Sequence, residues 1–399
     1  MIKVFNSPSL LLLWMILISM AIAPAIFLGE GNRNLFLIVV MSLPPVVLIV
    51  SHKFYRSEIW LLLFLASIVT IPPLVHPESM RWSTVIYSLM FGFTFLAYSR
   101  LLHSSAFTIE NYLSFLKYMI YGYFVVLLIQ QFCVLTGLPI FNVSNYNPME
   151  PYKLNALAAE PSHSARIVAL LMYSYITIKE IITENTYNFR VNLKEDAWIW
   201  ISFLWTMLTM GSGTAFLFII IVLLKFIRFK SLIPLLLIGG IITYIVSIIG
   251  ITAFERTFEV FMATLTLDPR TIIQTDLSAA IRIVPIILLA SIVTITTVDG
   301  LFGHGIDTVS SFLYSQIPGV GEGFTGGGLF QVWYEYGFFS FIFFVFFSLG
   351  NSYKKLDYLS VVFWFLLVFM NGVNSQIVWL AILLLWTNIY FNKFLKGKK

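Results

Sequence analysis

A chain of 399 residues that is 59% hydrophobic and only 11% charged cannot clothe a water-facing surface, because a soluble domain carries roughly 25% charged residues. Its net charge of +5 is spread thinly and by side, which points away from nucleic acid as a partner. Cys133 stands alone in an apolar run and the five histidines show no spacing such as HExxH, so neither an internal disulfide nor a metal centre is expected.

The apolar residues fall in runs of about 20, the length of a helix that crosses a bilayer, and not in the weak alternating segments of a transmembrane barrel. The expected fold is all-α: a polytopic integral membrane protein, with 1–399 forming one transmembrane domain. Lys3, the run 10–27 and Ala21-Ile22-Ala23 have the features of a signal peptide. Similar spans follow throughout the chain, however, and a first span is the simpler reading. Apolar segments run at 8–28, 35–50, 59–75, 82–98, 113–136, 163–178, 197–210, 214–227, 231–250, 283–298, 329–349, 358–372 and 375–391.

Charge decides which of them cross. With Lys3 in the cytoplasm and nine alternating spans, the inner loops carry Lys53 and Arg56, Arg100, Lys179 with Arg190 and Lys194, and Lys225 with Arg228 and Lys230. The outer loops carry only Arg33, Arg81, Lys153 and the arginines of 252–282. If 283–298 also crossed, Lys354, Lys355, Lys393, Lys396, Lys398 and Lys399 would lie outside, against the positive-inside rule. The expectation is therefore about twelve transmembrane helices with both termini cytoplasmic. Segment 283–298 becomes a re-entrant or in-plane helix within a large extracytoplasmic loop, 252–328. The segments 197–210 and 214–227 are separated only by Gly211-Ser212-Gly213. They read as two short, tightly turned helices or as one long kinked one, and the second choice breaks the charge pattern. No internal repeat of the kind that marks many secondary transporters is visible.

Ionisable groups near a membrane are costly and usually have partners or a task. Here they gather outside, where 252–328 holds Glu255, Arg256, Glu259, Asp268, Arg270, Asp276, Arg282, Asp299, His304, Asp307 and Glu322. Its last part, GHGIDTVSSFLYSQIPGVGEGFTGGGL, is glycine-rich, as suits a backbone bent tightly around something. The acids are accounted for equally by the wetness of an external loop. Arginine is less expected there. Arg256, Arg270 and Arg282, with Arg166, suit either a seat for a lipid-linked pyrophosphate, since guanidinium binds phosphate in a bidentate manner, or ion pairing with the acids nearby. Phe302, Phe312, Tyr314 and Phe324 suit stacking on sugar faces or simple packing.

An outer loop at 137–162 leads into AAEPSHSARIVALLM. Pro161 fits the first helical turn, Glu160 sits at the helix start, and His163 and Arg166, three apart, share a face. The positive end of the helix dipole then faces outward, where it favours anions. Glu160 reads equally well as a functional acid and as one that merely stabilises a helix start.

Glu160-Pro161-Ser162-His163, opening a span after a short outer loop, resembles the EPS motif of the Wzy-type O-antigen and capsular polysaccharide polymerases. Gly211-Ser212-Gly213-Thr214 is similar to the family's small-residue turn between two mid-chain spans. SAAIR at 278–282 resembles its S-x-x-x-R segment, Gly303-His304-Gly305 its G-h-G opening, and QVWYEYGFF at 331–339 its closing pattern of an acid and Tyr-Gly. The resemblance covers about 155–345. It departs from the related O-antigen ligases, which carry a His-Asn pair where this chain has Gly326-Gly327-Gly328, and often an arginine where it has Gly213.

The resemblance implies a GT-C-like glycosyltransferase of the bacterial inner membrane, acting on the periplasmic face without metal or cofactor. Donor and acceptor would both be undecaprenyl-pyrophosphate-linked oligosaccharide, with membrane lipid, a chain-length regulator and a flippase as further partners. Arg166, Arg256, Arg270 and Arg282 are the expected pyrophosphate-binding residues. Glu160 is the first candidate for base or acceptor orienter and His304 the second, while His163 orients Glu160 or a phosphate. An O-antigen ligase is one alternative. A transporter of lipid-linked oligosaccharide is another, although Lys117 and Glu335 are the visible ionisable groups within spans.

Overall fold

The computed structural model describes residues 8–24, 33–50, 54–143, 146–226, 252–353 and 357–397, and its regular structure is all helix. In chain order the helices are α1 (Pro8–Ala21), α2 (Leu35–Met41), α3 (Pro44–Val50), α4 (Ile59–Val75), α5 (Trp82–Ser104) and α6 (Ile109–Thr136). Then come α7 (Pro161–Thr183), α8 (Phe189–Thr209), α9 (Gly213–Leu224), α10 (Thr252–Leu265), α11 (Pro269–Thr275) and α12 (Leu277–Ile292). The last five are α13 (Val298–Phe302), α14 (Thr308–Gln316), α15 (Leu329–Ser352), α16 (Tyr358–Trp364) and α17 (Gln376–Gly397).

Five helices among the described residues are long and apolar enough to cross a membrane: Arg56–Val75, Trp82–Ser104, Ile109–Thr136, Leu329–Ser352 and Gln376–Leu395. The described residues are all-helical, and by length and composition these five helices are those of a membrane protein. Several other expected spans are shorter for local reasons. The run 35–50 divides at Ser42 and Leu43 because Pro44 and Pro45 lack the N–H that a continuing helix needs. The segment expected at 283–298 is instead a helix at Leu277–Ile292, started by the Asp276 carboxylate, which accepts from the Ala279 N–H at 2.6 Å. The expected span 231–250 lies outside the described residues, as do Lys53, Arg228, Lys230, Lys354, Lys355, Lys398 and Lys399.

The chain divides into two compact units. One comprises Met1–Met20, Phe36–Phe107 and Ala263–Tyr390. In it α4 lies along α15, and aromatic rings join α5 to α17, with Phe91 stacked on Trp379 at 5.6 Å. The Tyr98 hydroxyl meets Thr387 at 2.8 Å. At the foot of α4, Glu58 and Arg100 form a buried ion pair at 3.2 Å. Arg100 is therefore a helical, paired residue and not a free loop charge. At the far end, α11, α12 and α14 close a small apolar core of their own, in which Ile272, Ala280, Val284, Leu289, Val309 and Leu313 are buried.

The other unit comprises Ala21–Leu35, Thr108–Met262 and Phe391–Lys399. Asp196, near the start of α8, accepts from Tyr175 at 2.6 Å and Tyr187 at 2.9 Å and pairs with Lys179 at 3.3 Å. Lys225, just past α9, pairs with Glu180 at 3.0 Å. Both contacts fall at the same end of α7, so α8 and α9 run antiparallel and Gly211-Ser212-Gly213 is a hairpin turn. The two segments are not one kinked helix.

Candidate functional site

Within the first unit the site begins with a broken helix. Gly337, in the middle of α15, has φ +84° and ψ 171°, which no helix tolerates. Breaking a spanning helix frees carbonyls, and a carbonyl without a donor is expensive where water is excluded. The chain supplies donors from Gly303-His304-Gly305. The His304 N–H donates to the Tyr334 carbonyl at 2.8 Å and the Gly305 N–H to that of Glu335 at 3.3 Å. The approach is too close for side chains: a Cβ on Gly337 would strike the Leu301 carbonyl, and one on Gly303 the Glu335 carbonyl. The two sequence segments thus form one backbone junction.

This junction aims the His304 ring. The imidazole stacks on Tyr334 with centroids 4.2 Å apart and planes 7° from parallel. Its Nδ1 lies 3.2 Å from the Tyr334 carbonyl, which assigns the proton to Nδ1 and leaves a lone pair on Nε2. Close by, Glu335 is buried, with Oε2 accepting from Gln331 at 3.2 Å. Its Oε1 has no partner of hydrogen-bonding geometry, although the N–H groups of Asp307 and Val309 face the carboxyl from the start of α14.

The second unit presents the EPSH segment. Glu160 is extended, with φ −136° and ψ 150°, and Pro161 opens α7. The Glu160 side chain does not cap the helix. It is exposed and accepts from the Ser162 hydroxyl at 3.3 Å, while His163 and Arg166 follow within one turn, half-buried. The loop before it is fixed by a buried amide cage. Asn155 donates to the carbonyls of Asn142 and Ala158 at 2.6 Å each and accepts from Gln130 at 3.2 Å. Ser164 of α7 fastens to the Asn155 carbonyl. The hairpin turn reaches the same loop, since a Cβ on Gly211 would lie 3.2 Å from Lys153 Cα and 3.3 Å from the Tyr152 carbonyl.

The residues expected to form the site therefore divide between the units. Glu160, His163 and Arg166 are adjacent in the second, and Arg270, Arg282 and His304 belong to the first. Arg270 and Arg282 are exposed on the consecutive helices α11 and α12. The Arg256 side chain lies outside the described residues. Asp268 caps α11, and its hydrogen bonds from Thr271 hold its carboxyl below the usual carboxylate range. Of the four loop aromatics, Phe312 and Phe324 pack against the small core, Phe302 meets Phe339 at 5.9 Å, and Tyr314 is exposed. No protein-family model, curated protein or solved structure matches this chain.

Sequence reasoning passed over the loop HPESMR at 76–81, which meets the 303–307 segment through His76 and Arg81. Its one sequence signal was an arginine in an outer loop. The structure also explains why no histidine stands near position 327. Gly327 and Gly328 have φ +106° and +61°, and a Cβ on either would run into Leu289 or the Phe369 carbonyl. A side chain at Gly328 would press the start of α15 off the Phe369–Met370 backbone.

Proposed function

We propose that this chain is a membrane glycosyltransferase that polymerises undecaprenyl-pyrophosphate-linked oligosaccharide repeat units into a surface polysaccharide on the periplasmic face of the inner membrane. One observation carries the reading. The segments that resemble the Wzy-type polymerases are fastened to one another within each unit, Gly303-His304-Gly305 to the Tyr-Gly break of α15 and the EPSH loop to the Gly211 turn. Small residues at these positions thus have a shared physical purpose.

A sugar pyrophosphate is already activated, so the protein has to position an acceptor hydroxyl and stabilise the departing charge. The acceptor oxygen attacks the anomeric carbon, the bond from that carbon to the pyrophosphate oxygen breaks, and the hydroxyl proton passes to His304 Nε2. In the second unit Glu160 is the other candidate for base or acceptor orienter, with His163 beside it. Arg166, Arg256, Arg270 and Arg282 receive the leaving pyrophosphate. About twelve crossings and a GT-C-like arrangement belong to the same proposal. The glycines at 326–328, where the ligases carry His-Asn, favour a polymerase over a ligase.

The test is reconstitution of the purified protein in liposomes with lipid-linked repeat units alone. A ladder of lipid-linked glycans is expected. A ligase gives no ladder without a separate acceptor, and a transporter moves the units across the bilayer without joining them. Either result ends the polymerase reading.

A further inference from the structure

The loop between α4 and α5 grips the segment that carries His304. His76 Nε2 lies 2.8 Å from the Gly303 carbonyl, and this imidazole is largely buried. Asp299 is 3.7 Å from the same nitrogen, and Glu78 is 3.3 Å from Nδ1. Ser79 lies where a Cβ on Gly305 would be. Four residues on from Gly303, Asp307 accepts from Arg81 at 3.0 Å and Thr84 at 3.1 Å.

The first of these contacts bears on chemistry. The Gly303 carbonyl and the His304 N–H belong to one peptide plane. Its carbonyl is held by His76, and its N–H donates to the Tyr334 carbonyl. A planar unit held at both ends cannot rotate, and the His304 side chain springs from the carbon next to it. We propose that His76 is a positioning residue, donating from Nε2 to the Gly303 carbonyl and so fixing the direction in which His304 Nε2 points. This inference rests on the glycosyl-transfer reading only for its catalytic consequence, because the clamp itself is a matter of geometry.

What the clamp requires is an N–H donor at one place, which distinguishes it from simple space filling. His76→Gln keeps an amide donor near that place, and His76→Leu fills the volume without one. In the full-length protein, hydrogen exchange across 299–307 is expected to quicken in His76→Leu and to stay at the wild-type rate in His76→Gln. With lipid-linked repeat units, kcat should fall by up to about 100-fold in His76→Leu, the scale associated with misplacement of a reacting group by about 1 Å. KM should not change, and His76→Gln should recover most of the rate. Should the leucine variant not accumulate, His76→Phe keeps a ring in the same space and carries the same expectation. Unchanged exchange at 299–307 in the donor-less variant overturns the clamp, as does an equal loss in the glutamine variant. A wild-type protein that builds no polymer, with the exchange pattern as described, removes instead the reading of His304 as a base.

Discussion

At the scale of single residues, the hardest constraint falls on Gly337. Its backbone conformation belongs to a region that is essentially glycine-only and costs other residues about 1–3 kcal/mol. A side chain would add a clash with the Leu301 carbonyl, so Gly337→Ala should lower stability by more than that backbone cost. It should also detach His304 from Tyr334. Thermal unfolding of the detergent-solubilised protein checks the first expectation, and loss of chain growth in the surviving fraction checks the second. The arginines are tested at this scale too. If they hold a pyrophosphate whose charge grows as the bond breaks, Arg166→Ala or Arg282→Ala should cut chain growth by at least ~10²-fold, as losing one charge-stabilising donor does elsewhere. Normal polymer from both variants would remove the arginine site. Much of this was legible in advance. The glycine-rich run from Gly303 signalled a backbone bent tightly around something, and Pro161 after Glu160 marked a helix start. What the backbone pressed against was not legible, because the partner carbonyls are about thirty residues away and a carbonyl has no residue signature.

At the scale of elements, packing decides what periodicity leaves open. A broken helix and a continuous one have the same hydropathy, so 329–349 read as a single span although α15 is interrupted at Gly337. The α8–α9 hairpin needed the ion pairs of Asp196 and Lys225 with α7 to set its direction. Arg100 read as an inner loop charge, yet it is buried in α5 against Glu58. That pair gives a prediction of its own. Glu58→Gln and Arg100→Met each remove one charge of the buried pair and should cost about 3–5 kcal/mol, whereas replacing both residues with apolar ones of similar volume should cost less than either single change. Unfolding of the three variants in detergent measures the difference. A double variant weaker than both single ones would show that the pair contributes net stability.

At the scale of the whole molecule, the way α12 meets the membrane sets the topology, since every later segment reverses its orientation if α12 crosses. Two physical facts bear on it. Its 16 residues extend only about 24 Å at 1.5 Å per residue, short of the ~30 Å hydrocarbon core. Its buried side chains, Ala280, Val284 and Leu289, share a core with Ile272 of α11 and with Val309 and Leu313 of α14, helices too short to span, and Phe330 and Tyr334 of the long α15 pack against the same core. Charge points the same way, because only a non-crossing α12 leaves Lys393 and Lys396 with the inner group. Cysteines placed singly near 265 and 320 in a Cys133→Ser background should therefore react together with a membrane-impermeant maleimide added from outside, and both should be protected from one confined to the inside. Labelling of the two positions from opposite faces would mean that α12 crosses and would overturn the placement of 252–328 as one extracytoplasmic loop.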